Sequence, residues 1–284
     1  IVHLQLHPKY YNVLSVSLKD SKVLLFHIDI DKNILEQKVV YKSQFHGMIY
    51  KTIFSPYEDG NILATLSYDN ISIWDMNSYF FIYNIHFKEQ ARSDIIDIKW
   101  NNSGEYLIFK RYEDIIEVFS LSSKKYEFSI ESSSYNYFYD KKKNQMILFE
   151  EGKILIYDTE KNKELYKIDS NIFSCKKSFY DEDNSLLYLL DRKNLFIYDL
   201  ELKQKIFEYK VNACKNFFLL ENNNFNEPNL FSKLILYSKE KKFELLSIIK
   251  NDKIYNSFSI KEISPDDFWE NSIKKIDDNY EFLS

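Results

Sequence analysis

Glycine is scarce in this 284-residue chain: there are four, alongside four prolines, two cysteines, three arginines and three alanines. Gly47, Gly60, Gly104 and Gly152 lie too far apart to form a phosphate-cradling loop, and no Gly-x-Ser-x-Gly elbow is present. Two cysteines, Cys175 and Cys214, are too few for a disulfide framework. They read as small core residues of a reducing compartment, cytoplasmic or nuclear. No apolar run approaches the ~20 residues that span a bilayer, so no membrane association is expected. The first residues lack the basic and apolar regions of a signal peptide, and the chain starts at Ile1 rather than methionine, which reads as a domain cut from a longer protein. Charge of one sign is missing too: the net charge is −5, which disfavours nucleic acid as a partner. His3, His7, His27, His46 and His86 are scattered, with no pair at metal-ligand spacing and no cysteine nearby, so neither a metal nor a cofactor is expected.

What the chain has is apolar and aromatic weight: 45% hydrophobic and 17% aromatic residues, enough for a full core and too much for disorder. Thirty-five lysines against three arginines look like the codon bias of an AT-rich genome, under which missing glycines carry little information. One signature recurs: alternating apolar residues, then an aromatic, often followed by Asp. It appears at 22–27, 71–75, 115–119, 153–158 and 194–199, and in degenerate form at 243–246. Its anchors Phe26, Trp74, Phe119, Tyr157, Tyr198 and Leu246 are 48, 45, 38, 41 and 48 residues apart. The mean of 44 fits the period of four-stranded propeller blades. In the second unit, strands are expected at 47–55, 61–67, 71–75 and 79–87, and in the fifth at 173–179, 185–190, 195–200 and 204–210. Units start near 1, 47, 94, 134, 171 and 214.

The second unit carries His46-Gly47, Phe54-Ser-Pro56, Ser67-Tyr-Asp69 and Trp74-Asp75, and here the chain resembles the WD-repeat β-propeller family. The resemblance implies a hydrogen-bonded structural network of His46, Ser67, Asp69 and Trp74. Two features depart from the family pattern: the His-Gly order is reversed, and Asp69 sits one residue closer to Trp74 than usual. The fold expected is all-β, a propeller of four-stranded blades over 1–260. Six blades are visible and seven are expected in the intact protein, since such rings close by sharing a blade between the chain ends. Glu221–Asn229 reads as a solvent loop. A C-terminal helical extension over 261–284 follows from Ser264-Pro265-Asp266-Asp267, a capping Ser, a first-turn Pro and acids at the positive helix end. Trp269, Ile273 and Ile276 then form one apolar stripe.

Catalysis is not expected: acids such as Asp181, Asp183, Asp277 and Asp278 fall in turns or helix ends, and the inner strands offer few polar side chains. Binding is the better class. The resemblance places the loops between the outer and next inner strand, and between second and third strands, on one face. Those loops contain Tyr68, Arg92, Arg111, Tyr112 and Arg192, including every arginine of the chain. A planar guanidinium fork and tyrosine rings suit a partner interface. The chain is therefore read as a non-catalytic scaffold for protein or peptide partners, in a multi-subunit complex. The alternative is a coronin-type actin-filament binder, because residues 1–28, with His7-Pro8, Asn12-Val-Leu14 and Lys19-Asp20, are similar to a coronin blade. Tyr79-Phe-Phe-Ile-Tyr83 is an aromatic run on an outermost strand, read either as a docking patch or as an edge covered by another segment. Lys141–Lys143 reads as a solvated hairpin tip.

Overall fold

The computed structural model describes residues 1–7, 12–29, 32, 34–42, 48–56, 61–67, 70–86, 95–211, 214–220, 230–238, 243–251 and 254–263, the last four segments' worth of chain from Cys214 onward as backbone only. The described backbone is all β. The first sheet holds β1 (His3–Leu6), β2 (Val13–Ser17), β3 (Lys22–Asp29) and β4 (Ile34–Lys42). The second holds β5 (Ile49–Phe54), β6 (Ile62–Ser67), β7 (Asn70–Asp75) and β8 (Phe81–His86). The third holds β9 (Ile95–Trp100), β10 (Tyr106–Arg111), β11 (Ile115–Ser120) and β12 (Lys125–Glu131). The fourth holds β13 (Asn136–Asp140), β14 (Gln145–Glu150), β15 (Lys153–Asp158) and β16 (Lys163–Asp169). The fifth holds β17 (Lys177–Asp181), β18 (Leu186–Leu190), β19 (Asn194–Asp199) and β20 (Gln204–Lys210). The sixth holds β21 (Cys214–Leu220), β22 (Leu230–Ser238), β23 (Phe243–Asn251) and β24 (Ile254–Ile263). Every sheet is an antiparallel meander with its strands in chain order. Ile1–Asp169, with four sheets, and Ser170–Ser284, with two, form two compact units, described separately below.

Each expected unit start falls close to the first strand of a sheet. One strand is displaced: β17 begins at Lys177, not Phe173, and Phe173 is exposed. Residues 173–176 (Phe-Ser-Cys-Lys) alternate apolar and polar as a strand would, yet Phe173 stands in solvent and the ladder with β18 begins only at Lys177, opposite Leu190. The last strand runs to Ile263, into the segment expected to be the extension. The helix expected from Ser264, and the loop at 221–229, lie outside the described residues.

The anchor signature has a physical meaning in the sheets. In five of them the ladder between third and fourth strands slips by one residue immediately before the anchor: at Leu25/Phe26, Ile73/Trp74, Val118/Phe119, Ile156/Tyr157 and Ile197/Tyr198. The sixth sheet slips at Ile249/Lys250 instead, away from its degenerate anchor Leu246. A bulge bends and twists the outer strand while fixing the register of its pair. The aspartate that follows the aromatic closes the next turn. Asp158 Oδ1 accepts from the amides of Glu160 (3.0 Å) and Lys161 (2.9 Å), and Asp199 Oδ1 from those of Glu201 (2.9 Å) and Leu202 (2.8 Å). Asp75 does the same for Asn77 and Ser78. The residue four beyond that Asp or Ser position is left-handed in four turns: Tyr79 (φ 60°), Lys124 (φ 54°), Asn162 (φ 51°) and Lys203 (φ 55°). Turns that usually take glycine are thus made without it.

Within the first unit, core forms between sheets rather than inside any one. Leu107 and Phe109 of β10 join Ile53, Ala64, Leu66, Ile71 and Ile73 of the second sheet. Ile108, on the opposite face of β10, joins Tyr137, Tyr139, Met146 and Leu148 of the fourth. A strand covered on both faces must be apolar at successive positions, which explains its near-continuous apolar run. Each buried side chain of this size contributes about 1.5–3 kcal/mol.

Candidate functional site: the first-strand end of the sheets

Meander topology alone defines the ends of each sheet. With strands alternating in direction, the start of the first strand, the second-to-third loop and the exit of the fourth strand all lie at one end. In the first unit that end gathers a polar cluster from three neighbouring first strands. Lys51 Nζ of β5 donates to Asp97 Oδ1 of β9 at 2.6 Å and to the Ile98 carbonyl at 2.9 Å. Tyr137 of β13 donates to the other oxygen, Asp97 Oδ2, at 3.1 Å. Lys99 Nζ stands 3.8 Å from the same oxygen and 4.3 Å from the Tyr137 ring centroid. His3 Nδ1 of β1 meets Thr52 Oγ1 at 3.4 Å. Burial, then the Lys51 ammonium, holds the His3 imidazole below its ordinary value, against a smaller opposing pull from Asp97. Burial, then the Asp97 charge, pushes the Tyr137 phenol well above its own.

These bonds also join sheet to sheet. Trp100 Nε1 donates to the Ile53 carbonyl (3.2 Å), the Phe54 amide to Gln5 Oε1 (3.2 Å), and Ser17 Oγ to Thr52 Oγ1 (3.3 Å). Sequence reading expected few polar groups on the inner strands. It missed this cluster because each member sits singly on its own strand. The signal that could have found it is the recurrence of a charged or phenolic residue near each strand start: Lys51, Asp97 and Tyr137.

Around the cluster, apolar side chains stand in solvent. Tyr50 and Ile96 are exposed and are the extra residues of bulges in β5 and β9. Such bulges re-aim a side chain out of the regular pleat. Tyr112, in the β10–β11 hairpin, is 74% exposed and Tyr135, before β13, is 70% exposed. Beneath Tyr135 lies Lys110, whose side chain is 1% exposed. Its ammonium donates to the carbonyls of Ser132 (3.1 Å) and Ser134 (2.8 Å), pairs with Asp114 (2.9 Å) and sits 4.3 Å from the Tyr135 ring centroid. One buried cation therefore fastens both loops at this end of the third sheet.

The residues singled out in the sequence fare differently. Arg111 is not an open fork: its Nε donates to Glu117 Oε2 at 2.5 Å, and both side chains are largely buried. The register explains this, since Phe109 faces Glu117 across β10 and β11, making Arg111 the diagonal neighbour of that carboxylate. Arg192 is exposed in the β18–β19 turn of the second unit, at the equivalent end of its own sheet. Tyr68 and Arg92 lie outside the described residues. Of the expected structural network, His46 and Asp69 also lie outside them. Trp74 Nε1 donates to Thr65 Oγ1 at 3.1 Å, not to Ser67. Trp74 faces Leu63, which makes Thr65 its diagonal neighbour and leaves Ser67 at the far end of the strand. There Ser67 bonds the carbonyl and Oδ1 of Asn70, both at 3.1 Å. Among the described residues no group of His, Cys, Asp and Glu could hold a metal ion, and no helix is long and apolar enough to cross a membrane.

No family model and no curated protein matches the sequence. The backbone, by contrast, is similar to solved structures. The WD40 domain of Toxoplasma gondii coronin aligns with a TM-score of 0.69 at 15% identity, over 90% of this chain and 71% of that one. Saccharomyces cerevisiae Sqt1 aligns at 0.68 and 17%, over 88% and 72%, and the C-terminal WD40 domain of Sif2 at 0.64 and 14%, over 91% and 72%. The fold is that of a WD40 propeller. In this WD40-type chain the aromatic anchors mark the blades, and the polar cluster lies on the innermost strands of the first four.

Buried phenols give the blades a pH limit. Burial pushes Tyr83 and Tyr198 up to about 12, from the usual 10. Since the neutral phenol is favoured in the folded chain, that stability is complete below pH 10 and is lost as pH rises through about 12. Alkaline titration followed by circular dichroism and phenolate absorbance is expected to show a steep, coincident transition in that window. Gradual phenol ionisation with the β signal intact would contradict it.

Proposed function

We propose that the chain is a non-catalytic scaffold that holds protein or peptide partners at the first-strand end of its sheets. One observation carries this reading: Tyr50 of β5, Ile96 of β9, Tyr112 and Tyr135 stand exposed at the end of the sheets that holds the polar cluster, and Lys110 fastens from below the loops that carry the last two. Exposed tyrosines on a rigid base lose little conformational entropy on binding, and tyrosine is common among interface hot spots. Both oxygens of the cluster's carboxylate, Asp97, are engaged by Lys51 and Tyr137, which suits a structural anchor better than a proton-transfer group. The partners belong to a reducing, cytoplasmic or nuclear setting and to a larger complex on this reading.

Affinity capture with quantitative mass spectrometry tests it. Tyr112→Ala/Tyr135→Ala is expected to lose its specific partners at least ~10-fold, as hot-spot truncation does. Arg111→Lys/Arg192→Lys should lose less, because Arg111 is already committed to Glu117. Full retention of partners by the tyrosine double variant would overturn the reading. Pelleting of the chain with actin filaments would move the assignment to the coronin type; the likeness to Sqt1 at nearly the same TM-score gives that partner no preference.

A further inference from the structure

Charge is sorted between the two ends of the third and fourth sheets. At the first-strand end the cations are turned inward and committed. Lys110 is spent on two carbonyls and Asp114, Arg111 on Glu117, and Lys99 stands beside Asp97 and over the Tyr137 ring. The anions face the other way. Glu113 of the β10–β11 hairpin, Glu131 at the end of β12 and Glu151 of the β14–β15 hairpin are all exposed. None of the three takes part in a hydrogen bond or ion pair among the described residues. Lys153, at the start of β15, is an exposed base beside them and is outnumbered. At the opposite end the turns instead carry exposed Lys124, Lys141–Lys143 and Lys161 against Glu105 and Glu160.

Hydrogen bonds draw the acidic loops around the exposed tyrosines. The Ser132 amide donates to the Asp114 carbonyl at 2.6 Å, closing the loop that leads to Tyr135 onto the hairpin that carries Tyr112 and Glu113. Glu131, one residue earlier, faces Ile115 across β11 and β12 and so stands beside the same hairpin. Ser134 Oγ donates to the Phe149 carbonyl at 2.8 Å and Ser132 Oγ donates to Glu150, which brings the Glu151 turn to that loop. Two phenol rings in solvent are therefore set among unpaired carboxylates, while the lysines under them are already engaged. Like charges held on neighbouring loops repel, and a cation placed among them relieves that cost.

We propose that the segment held at this end is basic, a lysine- or arginine-rich stretch of a protein partner. The proposal rests on the reading of this end as the partner site and adds the charge of its occupant. The docking surface is the pair Tyr112 and Tyr135; the carboxylates around it select what docks. The stems of lysine and arginine lie along tyrosine rings while their charged ends reach acids beyond. An acidic segment is repelled by Glu113, Glu131 and Glu151, and an uncharged one leaves those charges unanswered. A second copy presenting the same end sets like charge against like.

Fluorescence anisotropy of the 284-residue chain with a labelled octapeptide of alternating lysine and arginine tests it, beside the matching glutamate octapeptide. The basic peptide is expected to bind and the acidic one not, with affinity falling about 5-fold between about 50 and about 300 mM salt. Glu113→Gln/Glu131→Gln/Glu151→Gln should weaken it about 10-fold, and all three positions are exposed, so thermal unfolding should stay at the parent's temperature. Tyr112→Ala/Tyr135→Ala should weaken it as well. Glu105→Gln/Glu160→Gln, at the opposite end, should leave it unchanged. An equal loss there overturns the proposal, because the peptide is then reading the net charge of −5 and not this surface. No binding by the parent, or a triple variant that binds like the parent, overturns it too. In affinity capture, a tyrosine double variant that loses its partners while the triple variant keeps them removes the basic occupant and leaves the site standing. Retention by both removes the site itself.

Discussion

Trp74→Ala is expected to remove about 4 kcal/mol of unfolding free energy, the loss typical of a buried Trp truncated to Ala. Trp74 lies between two sheets, packed against Tyr41 of the first (centroids 4.7 Å apart) and Phe81 of its own. It belongs to the cluster that includes Val23, Leu25, Phe54 and Leu63. Truncation therefore opens a void where two sheets meet and also removes the indole donor to Thr65 Oγ1, whose hydroxyl still donates to the Ser72 carbonyl. Thr65→Val keeps the packing but removes both bonds of that hydroxyl and should cost about 1 kcal/mol. Equilibrium denaturation followed by circular dichroism measures both. A Trp74→Ala loss below about 1 kcal/mol would mean the two sheets do not depend on this ring. The loss is large against the ~5–15 kcal/mol that holds an ordinary domain together.

Lys110→Met is expected to cost about 3 kcal/mol, and to do so through the loops rather than the core. Methionine fills a similar volume, so packing changes little. The Ser132 and Ser134 carbonyls lose their donor, and burial without one is costly. Asp114 contributes little to the difference because it is mostly in solvent. Hydrogen exchange should show faster exchange at residues 132–135, with the amides of β10 and β11 unchanged. Uniform acceleration over the third sheet would instead assign Lys110 to the core. Tyr135 rests on this cation, so partner capture should weaken along with the loop.

The architecture was legible because it rests on repetition. An aromatic that marks a bulge recurs in five blades and an acid that closes the next turn in three, and both are conspicuous in a sequence. The site was less so, for reasons that individual residues make plain. Arg111 looked available because arginine is rare here, yet strand register gave its guanidinium to Glu117. Its neighbour Lys110 looked like one more surface lysine. The alternation of Tyr106-Leu-Ile-Phe-Lys-Arg111 sets Lys110 on the same side as the buried Ile108, which was the available clue. Thr65 was passed over for Ser67 because motif spacing counts residues along the chain, whereas the indole reaches diagonally across a pair of strands. The Lys51–Asp97–Tyr137 cluster needed three strands to become neighbours before it existed at all.

In the second, fourth and fifth blades the bulge and its capped turn are made from that blade's own residues, so each of them sets its own alignment without consulting the others. Substitutions can then accumulate almost anywhere else and leave the backbone path intact. A sequence built this way can be as little as 14% identical to another and still trace the same backbone path.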